Sequence, residues 1–151
     1  MMAPHQVFRF DKLGVYFKHT DYYGFVHPYN YFEWTSYIRE AFFQETVENF
    51  MEVLARPIKM MTVKISYFFF EDSRFGDTLE ARLTVGRIKR VSFDMIVRFC
   101  NKEKVICSTT HTVVFIDSKT GEFAVIPEEM SRVIINYEEP RDQPIDQFLQ
   151  I

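Results

Sequence analysis

The spacing of apolar positions changes twice along this chain. From Val7 to Lys18 it is short, with runs such as Val7-Phe8-Arg9-Phe10 and Val15-Tyr16-Phe17-Lys18. These read as a strand or strand pair, with Asp11 to Gly14 as a bulge or turn. From Tyr29 to Phe50 there is neither Gly nor Pro and the composition is helical. Pro28 fits the first turn of that helix, where its missing N–H has no intrahelical partner. Tyr29, Phe32, Ser36 and Phe43 follow one stripe, while Tyr31, Trp34, Ile38, Ala41 and Phe42 cover much of the rest. A helix apolar on so many sides is normally enclosed. The pattern therefore predicts a sheet around most of its circumference, with Glu33, Arg39, Glu40, Gln44 and Glu45 as the polar remainder.

After Pro57 the period returns to two. Ile58 to Phe70, Leu79 to Lys89, Val91 to Cys100 and Val105 to Asp117 read as strands rich in β-branched and aromatic residues. Asp117-Ser118-Lys119-Thr120-Gly121 is a turn, Glu122 to Ile126 a short strand, and Pro127-Glu128-Glu129-Met130 a helix start with acidic first-turn residues. The charged tail after Tyr137, with Pro140 and Pro144, reads as irregular. Strand, loop, one long helix and four or five further strands predict an α+β domain in which a twisted antiparallel sheet of five to six strands curls around a central helix. Sheet edges this long are usually paired, which predicts a dimer with a continuous sheet.

Composition narrows the partners. With 151 residues the chain is one domain, 1–151, with its core at about 7–127 and a C-terminal helix and tail at 128–151. An aromatic fraction of 17% gives it bulky surface to bury in a core or across a subunit interface. A net charge of -3, without a basic block, gives no electrostatic case for nucleic acid. Arg82, Arg87, Lys89, Arg90 and Arg98 form either a solvated strand face or a patch for carrier phosphates. No apolar leader and no 18-residue apolar run occurs, so a soluble, cytoplasmic protein is expected, without a membrane partner. Cys100 and Cys107 read as buried free thiols, and His5, His19, His27 and His111 are too scattered for a zinc site, so no metal is expected.

The chemistry concentrates in His19-Thr20-Asp21-Tyr22-Tyr23-Gly24-Phe25-Val26-His27-Pro28-Tyr29-Asn30-Tyr31. A lone Asp in a loop is ordinarily a turn residue. This loop, however, runs directly into a helix start, where backbone donors and the positive dipole end lie beside any carbonyl bound there. That combination suits acyl chemistry.

Thr20-Asp21-Tyr22-Tyr23-Gly24-Phe25-Val26, with Asn30-Tyr31-Phe32 and Arg39-Glu40, resembles the hotdog-fold thioesterases of the 4-hydroxybenzoyl-CoA thioesterase superfamily, whose loop reads D-x-x-G-x-V/I-x-x-x-N-Y. Arg74 to Glu80 resembles the approach to that family's third strand, and Thr120-Gly121-Glu122 with Ile126-Pro127 its closing hairpin. The likeness covers about Phe10 to Pro127. Asn30 to Trp34 with Arg39 to Phe42 is similar to thioesterases that release polyene chains from enediyne polyketide synthases, which commonly use Arg and Tyr around a bound water instead of an acid. This chain carries both sets.

The resemblance implies hydrolysis of an acyl thioester of coenzyme A or carrier-protein phosphopantetheine, at the interface of a homodimer or homotetramer. No cofactor is implied, since coenzyme A or phosphopantetheine belongs to the substrate. Asp21 is implied as nucleophile or general base, against a local turn role. Tyr31 and Arg39 are a second catalytic pair, about 80° apart round the helix, against core packing for Tyr31 and an ion pair with Glu33 or near Glu40 for Arg39. Gly24, Phe25, His27, Tyr29 and Asn30 are implied as substrate-binding. In the family the residue seven after the Asp often donates its N–H to the thioester oxygen; here that residue is Pro28, which has none. The donor then moves to the N–H of His27 or Tyr29, or to a side chain. A non-catalytic acyl-CoA-binding or regulatory module is the alternative. A dehydratase ranks below both, because the loop lacks that branch's His-containing signature.

Overall fold

The computed structural model describes residues 5–140. Five strands form one antiparallel sheet in the order β1-β3-β4-β5-β2: β1 (Phe8–Gly14), β2 (Ile58–Phe69), β3 (Thr78–Gly86), β4 (Ser92–Asn101) and β5 (Lys104–Asp117). The helices are α1 (Tyr29–Thr46), the short α2 (Phe50–Leu54) and α3 (Glu128–Ile134). The proposed helix from Tyr29 to Phe50 thus breaks at Val47, whose backbone is extended, and Asn49 enters α2 in the left-handed conformation. Glu122 to Ile126 does not form a sixth strand; only a single bridge, Ile116 to Phe123, remains of it. The tail from residue 141 lies outside the described residues.

Strand alternation sets the inner face. Leu79, Ala81, Leu83 and Val85 on β3 meet Phe93, Met95, Val97 and Phe99 on β4, all buried. Their partners on β5 include Cys107, Thr109, His111 and Val113. Asp11 and Lys12 form the expected bulge in β1, where the register shifts between Phe10 and Leu13 and Lys12 takes a positive φ.

Helix α1 packs against this face through Tyr31, Trp34, Thr35, Ile38, Phe42 and Phe43. The sheet covers that side and not most of the circumference: Phe32 and Tyr37 remain about half exposed. The contacts step in register. Tyr31 meets Phe69 and Phe99, and Arg39 meets Thr62 and His111. Four helical residues advance about 6 Å and two strand residues about 6.6 Å, so positions 31, 35 and 39 keep pace with positions 107, 109 and 111 of β5. At the far end of α1 the Phe42 ring lies against Phe8 and Tyr137, which joins the helix to β1 and the C-terminal segment. Arg56, ahead of β2, is clamped to Glu129 of α3 and holds that carboxyl well below the usual range.

Candidate active site

Residues 15–28 form a loop held by the segment before β3. Val26 N–H donates to the Ser73 carbonyl, Phe25 bridges Arg74, and Val15 N–H donates to the Asp77 carbonyl. Asp77 in turn accepts from the Arg74 N–H and the buried Ser73 hydroxyl, which fixes the platform. This is the structural duty of the Arg74-Phe75-Gly76-Asp77 segment.

Asp21 organises the loop from within. Its Oδ1 accepts the N–H of Tyr23 at 2.9 Å and of Phe25 at 3.1 Å, while its own backbone pairs with Phe25 and Gly24. Two amide donors on one oxygen orient the carboxylate and leave Oδ2 without a hydrogen-bond partner among the described residues. Gly24 sits at φ +84°, which a side chain rarely tolerates, and a Cβ there would meet only open space. Both the turn and an open approach over it are therefore built into this glycine.

The other loop residues have definite positions. The Phe25 ring is covered by the Arg74 guanidinium, 4.7 Å from its centroid. Asn30 is buried and its amide donates to the carbonyls of His19 and His27, which ties the loop to α1. His27 N–H donates to the His19 carbonyl, so it is taken out of contention as a carbonyl donor. Tyr29 N–H makes only a long contact, 3.4 Å, to Nδ1 of His27, and is the more available of the two. An open groove of about 270 Å³ lies alongside, between the 3-10 turn Phe17–His19 and α1, lined by Lys18, Tyr29, Glu33, Trp34 and Tyr37 among others.

Tyr31 is buried against Trp34, Phe69 and Phe99. Burial, then the Cys107 thiol and the Asp72 and Asp77 carboxylates, push its phenol upward, so it remains a protonated donor. Arg39 belongs to a different place. It makes no ion pair with Glu33 or Glu40; its Nη1 donates to the Thr62 hydroxyl at 2.9 Å and lies 3.2 Å from Nδ1 of His111. Arg39 is eight residues beyond Tyr31 on α1, about 12 Å along the helix. Within one chain, then, Tyr31 lies at the loop's end of the sheet, and Arg39 forms a second centre further along.

His111, Tyr67, Thr109 and Thr62 were not among the residues singled out from the sequence. A signal existed: Thr109 and His111 are the polar members of an otherwise apolar inward series Cys107, Thr109, His111, Val113, Phe115. The basic cluster is largely spoken for. Arg82 pairs with Glu80 and Glu103, Arg87 with Asp94, and Arg98 with Glu139. That arrangement favours a solvated, ion-paired strand face. Among the described residues no group of three or more His, Cys, Asp or Glu side chains could hold a metal ion, and no helix is long and apolar enough to cross a membrane.

A five-stranded antiparallel sheet carrying one long helix on its inner face, with the site loop leading into that helix, is the hotdog fold. Residues 15–134 match the Thioesterase-like superfamily, and the chain belongs to it. Solved structures agree in fold. The dynemicin thioesterase, described with bound polyene, superposes with a TM-score of 0.79 at 22% identity, covering 91% of this chain and 99% of that one. A Staphylococcus aureus protein in complex with CoA gives a TM-score of 0.83 at 15% identity, covering 100% of this chain and 98% of that one. The 1,4-dihydroxy-2-naphthoyl-CoA thioesterase from Synechocystis gives 0.75 at 19% identity, covering 89% and 100%. A comparison with curated protein sequences gives no match.

Proposed function

We propose that this protein hydrolyses an acyl thioester of coenzyme A or of carrier-protein phosphopantetheine, releasing the carboxylic acid, with Asp21 as the catalytic carboxylate. The observation that carries this is the fixed Asp21: two backbone N–H groups hold Oδ1 and leave Oδ2 unengaged, on the approach to α1, in a chain of the Thioesterase-like superfamily. Oδ2 either attacks the carbonyl carbon, giving an acyl anhydride and expelling the thiolate before water cleaves the anhydride, or takes a proton from the attacking water. The Tyr29 N–H at the start of α1 and the positive end of the helix dipole are the backbone groups positioned to hold the carbonyl oxygen.

In this reading Gly24, His27 and Tyr29 line the approach, Phe25 and Asn30 hold the loop in shape, and Tyr31 supports its inner side. Arg39 acts at the second centre on the acyl group. The chemistry needs neither metal nor cofactor of its own. The molecule acts in the cytoplasm as a homodimer, or a pair of dimers, joined through β2, one of the two edge strands, whose Met61, Val63, Ile65 and Phe69 are exposed apolar residues.

Asp21→Asn keeps the size of the side chain and one acceptor for the Tyr23 and Phe25 N–H groups. Its kcat on any accepted thioester should fall by about 100-fold or more, with an unchanged circular dichroism spectrum. The assay is free-thiol release across aliphatic and aromatic acyl groups on coenzyme A and carrier protein. Full turnover by the variant would remove Asp21 from catalysis. Tight acyl-CoA binding with no thiol release from any substrate would favour the binding-module alternative.

A further inference from the structure

Under the middle of α1 the inner face of the sheet carries polar groups where an apolar core belongs. His111 is 1% exposed and Thr109 is 0% exposed, and both point inward with Tyr67, the cross-strand partner of Thr109. Guanidinium N–H groups only donate, so Nδ1 of His111 must be the acceptor of the Arg39 contact. The imidazole is thereby fixed as the neutral tautomer with its proton on Nε2. Among the described residues that buried Nε2–H has no hydrogen-bond partner, and neither do the Tyr67 and Thr109 hydroxyls.

The two hydroxyls lie beside each other and beside Thr35, so a small rotation would let them satisfy one another. Among the described residues Nε2 has no such neighbour. A buried donor left unmatched costs about 1–3 kcal/mol, a reason to expect that something with an acceptor oxygen occupies it in the working molecule. Arg39 beside it has no carboxylate partner among the described residues and adds positive potential. Phe32, itself half exposed, lies 6.1 Å from the His111 ring between centroids. Pro28 to Thr35 is about 10 Å along α1, and Pro28 to Arg39 about 16 Å. That distance suits the far part of an acyl group whose thioester sits at the Asp21 loop.

We propose that His111, with Tyr67 and Thr109, forms a subsite that binds a hydroxyl or keto oxygen on the distal part of the acyl group, so that oxygenated acyl chains are selected over plain hydrocarbon ones. This rests on the thioesterase reading for its substrate, and the test separates the two. The substrates are octanoyl, decanoyl and dodecanoyl coenzyme A and their ω-hydroxy counterparts. For at least one length the hydroxylated member should show a kcat/KM higher by about 10-fold or more, expressed mainly in KM. His111→Leu should bring that ratio to near one, and Tyr67→Phe should lower it.

A binding measurement stands beside the kinetics: the Nε2–H signal of His111 in nitrogen-labelled wild-type protein, assigned by its loss in His111→Gln, with free ω-hydroxydecanoate and decanoate. A shift with the hydroxy acid alone supports the subsite even if no thioester is cleaved, in which case the hydrolase reading fails by itself. Hydrolysis with equal rates for both members of every pair, a preference that survives His111→Leu, or an Nε2–H signal indifferent to both acids would overturn the subsite. So would a crystal structure with the hydroxy acid bound that shows only a water on Nε2.

Discussion

His111 ties stability to pH. Its burial, and then the charge of Arg39, lower its pKa from 6.5 to about 4. The unfolded chain therefore takes up the proton first as the pH falls. The contribution to stability is complete above about 6.5 and is lost progressively down through about 4, amounting to at most about 3 kcal/mol. Urea unfolding between about pH 7 and 5 should show this slope in the wild type, and His111→Gln should flatten it; equal slopes would show that the imidazole is not held neutral. Gly24 allows a second check. At φ +84° a Cβ is strained even in open space, so Gly24→Ala should cost about 1–2 kcal/mol by urea unfolding. It should also lower kcat, because Phe25 and the Asp21 contact move with the turn. The sequence makes Gly24 and Asp21 legible, since a carboxylate and a glycine in one loop need only local chemistry to be noticed. It does not reveal that Asn30 and Phe25 are engaged by the fold, because His19 and Arg74 reach them only once the loop is folded.

Helix α1 depends on its sheet-facing side. Phe42 is fully buried between Phe8, Phe43 and Tyr137. Phe42→Ala should cost about 3–5 kcal/mol in chemical denaturation, against less than about 0.5 kcal/mol for the exposed Glu45→Ala on the same helix. A Phe42→Ala loss as small as that of Glu45→Ala would mean that α1 is not docked here. Strands β2 to β5 are legible to within three residues at their ends because period two survives even on buried faces, whereas Val15 to Lys18, which reads as strand, lies past the end of β1 and runs into the 3-10 turn Phe17–His19. The helix was legible in type but not in its docked side. Tyr29, Phe32 and Ser36 look like a stripe in the sequence, yet the buried series runs through Tyr31, Thr35, Ile38 and Phe42. So many apolar residues surround α1 that composition alone does not choose between faces; the strand register does. The polar inward pair Thr109 and His111 was visible in principle, but only to a reader who already knew which side of β5 faces the helix.

For the whole molecule, β2 lies at the end of the strand order with one side unpaired among the described residues. Val63 sits where the β2–β5 register shifts, between Thr62 and Lys64, and is 57% exposed. If β2 joins two copies, sedimentation should give twice the 18.1 kDa chain mass. Val63→Arg, which puts a charge on that exposed apolar edge, should shift the distribution toward the single chain and reduce turnover with it. A monomeric wild type with full activity would overturn the assembly.

The matching steps of α1 and β5 also act as a length gauge. If the polar rung at positions 39 and 111 marks where an acyl chain must carry its oxygen, a relative with its polar residues one rung away differs by four positions on the helix and two on the strand. Its accepted chain would differ by about 6–7 Å. Substrate length in such a framework changes in discrete steps, and each step is written as a coordinated shift on two separate elements.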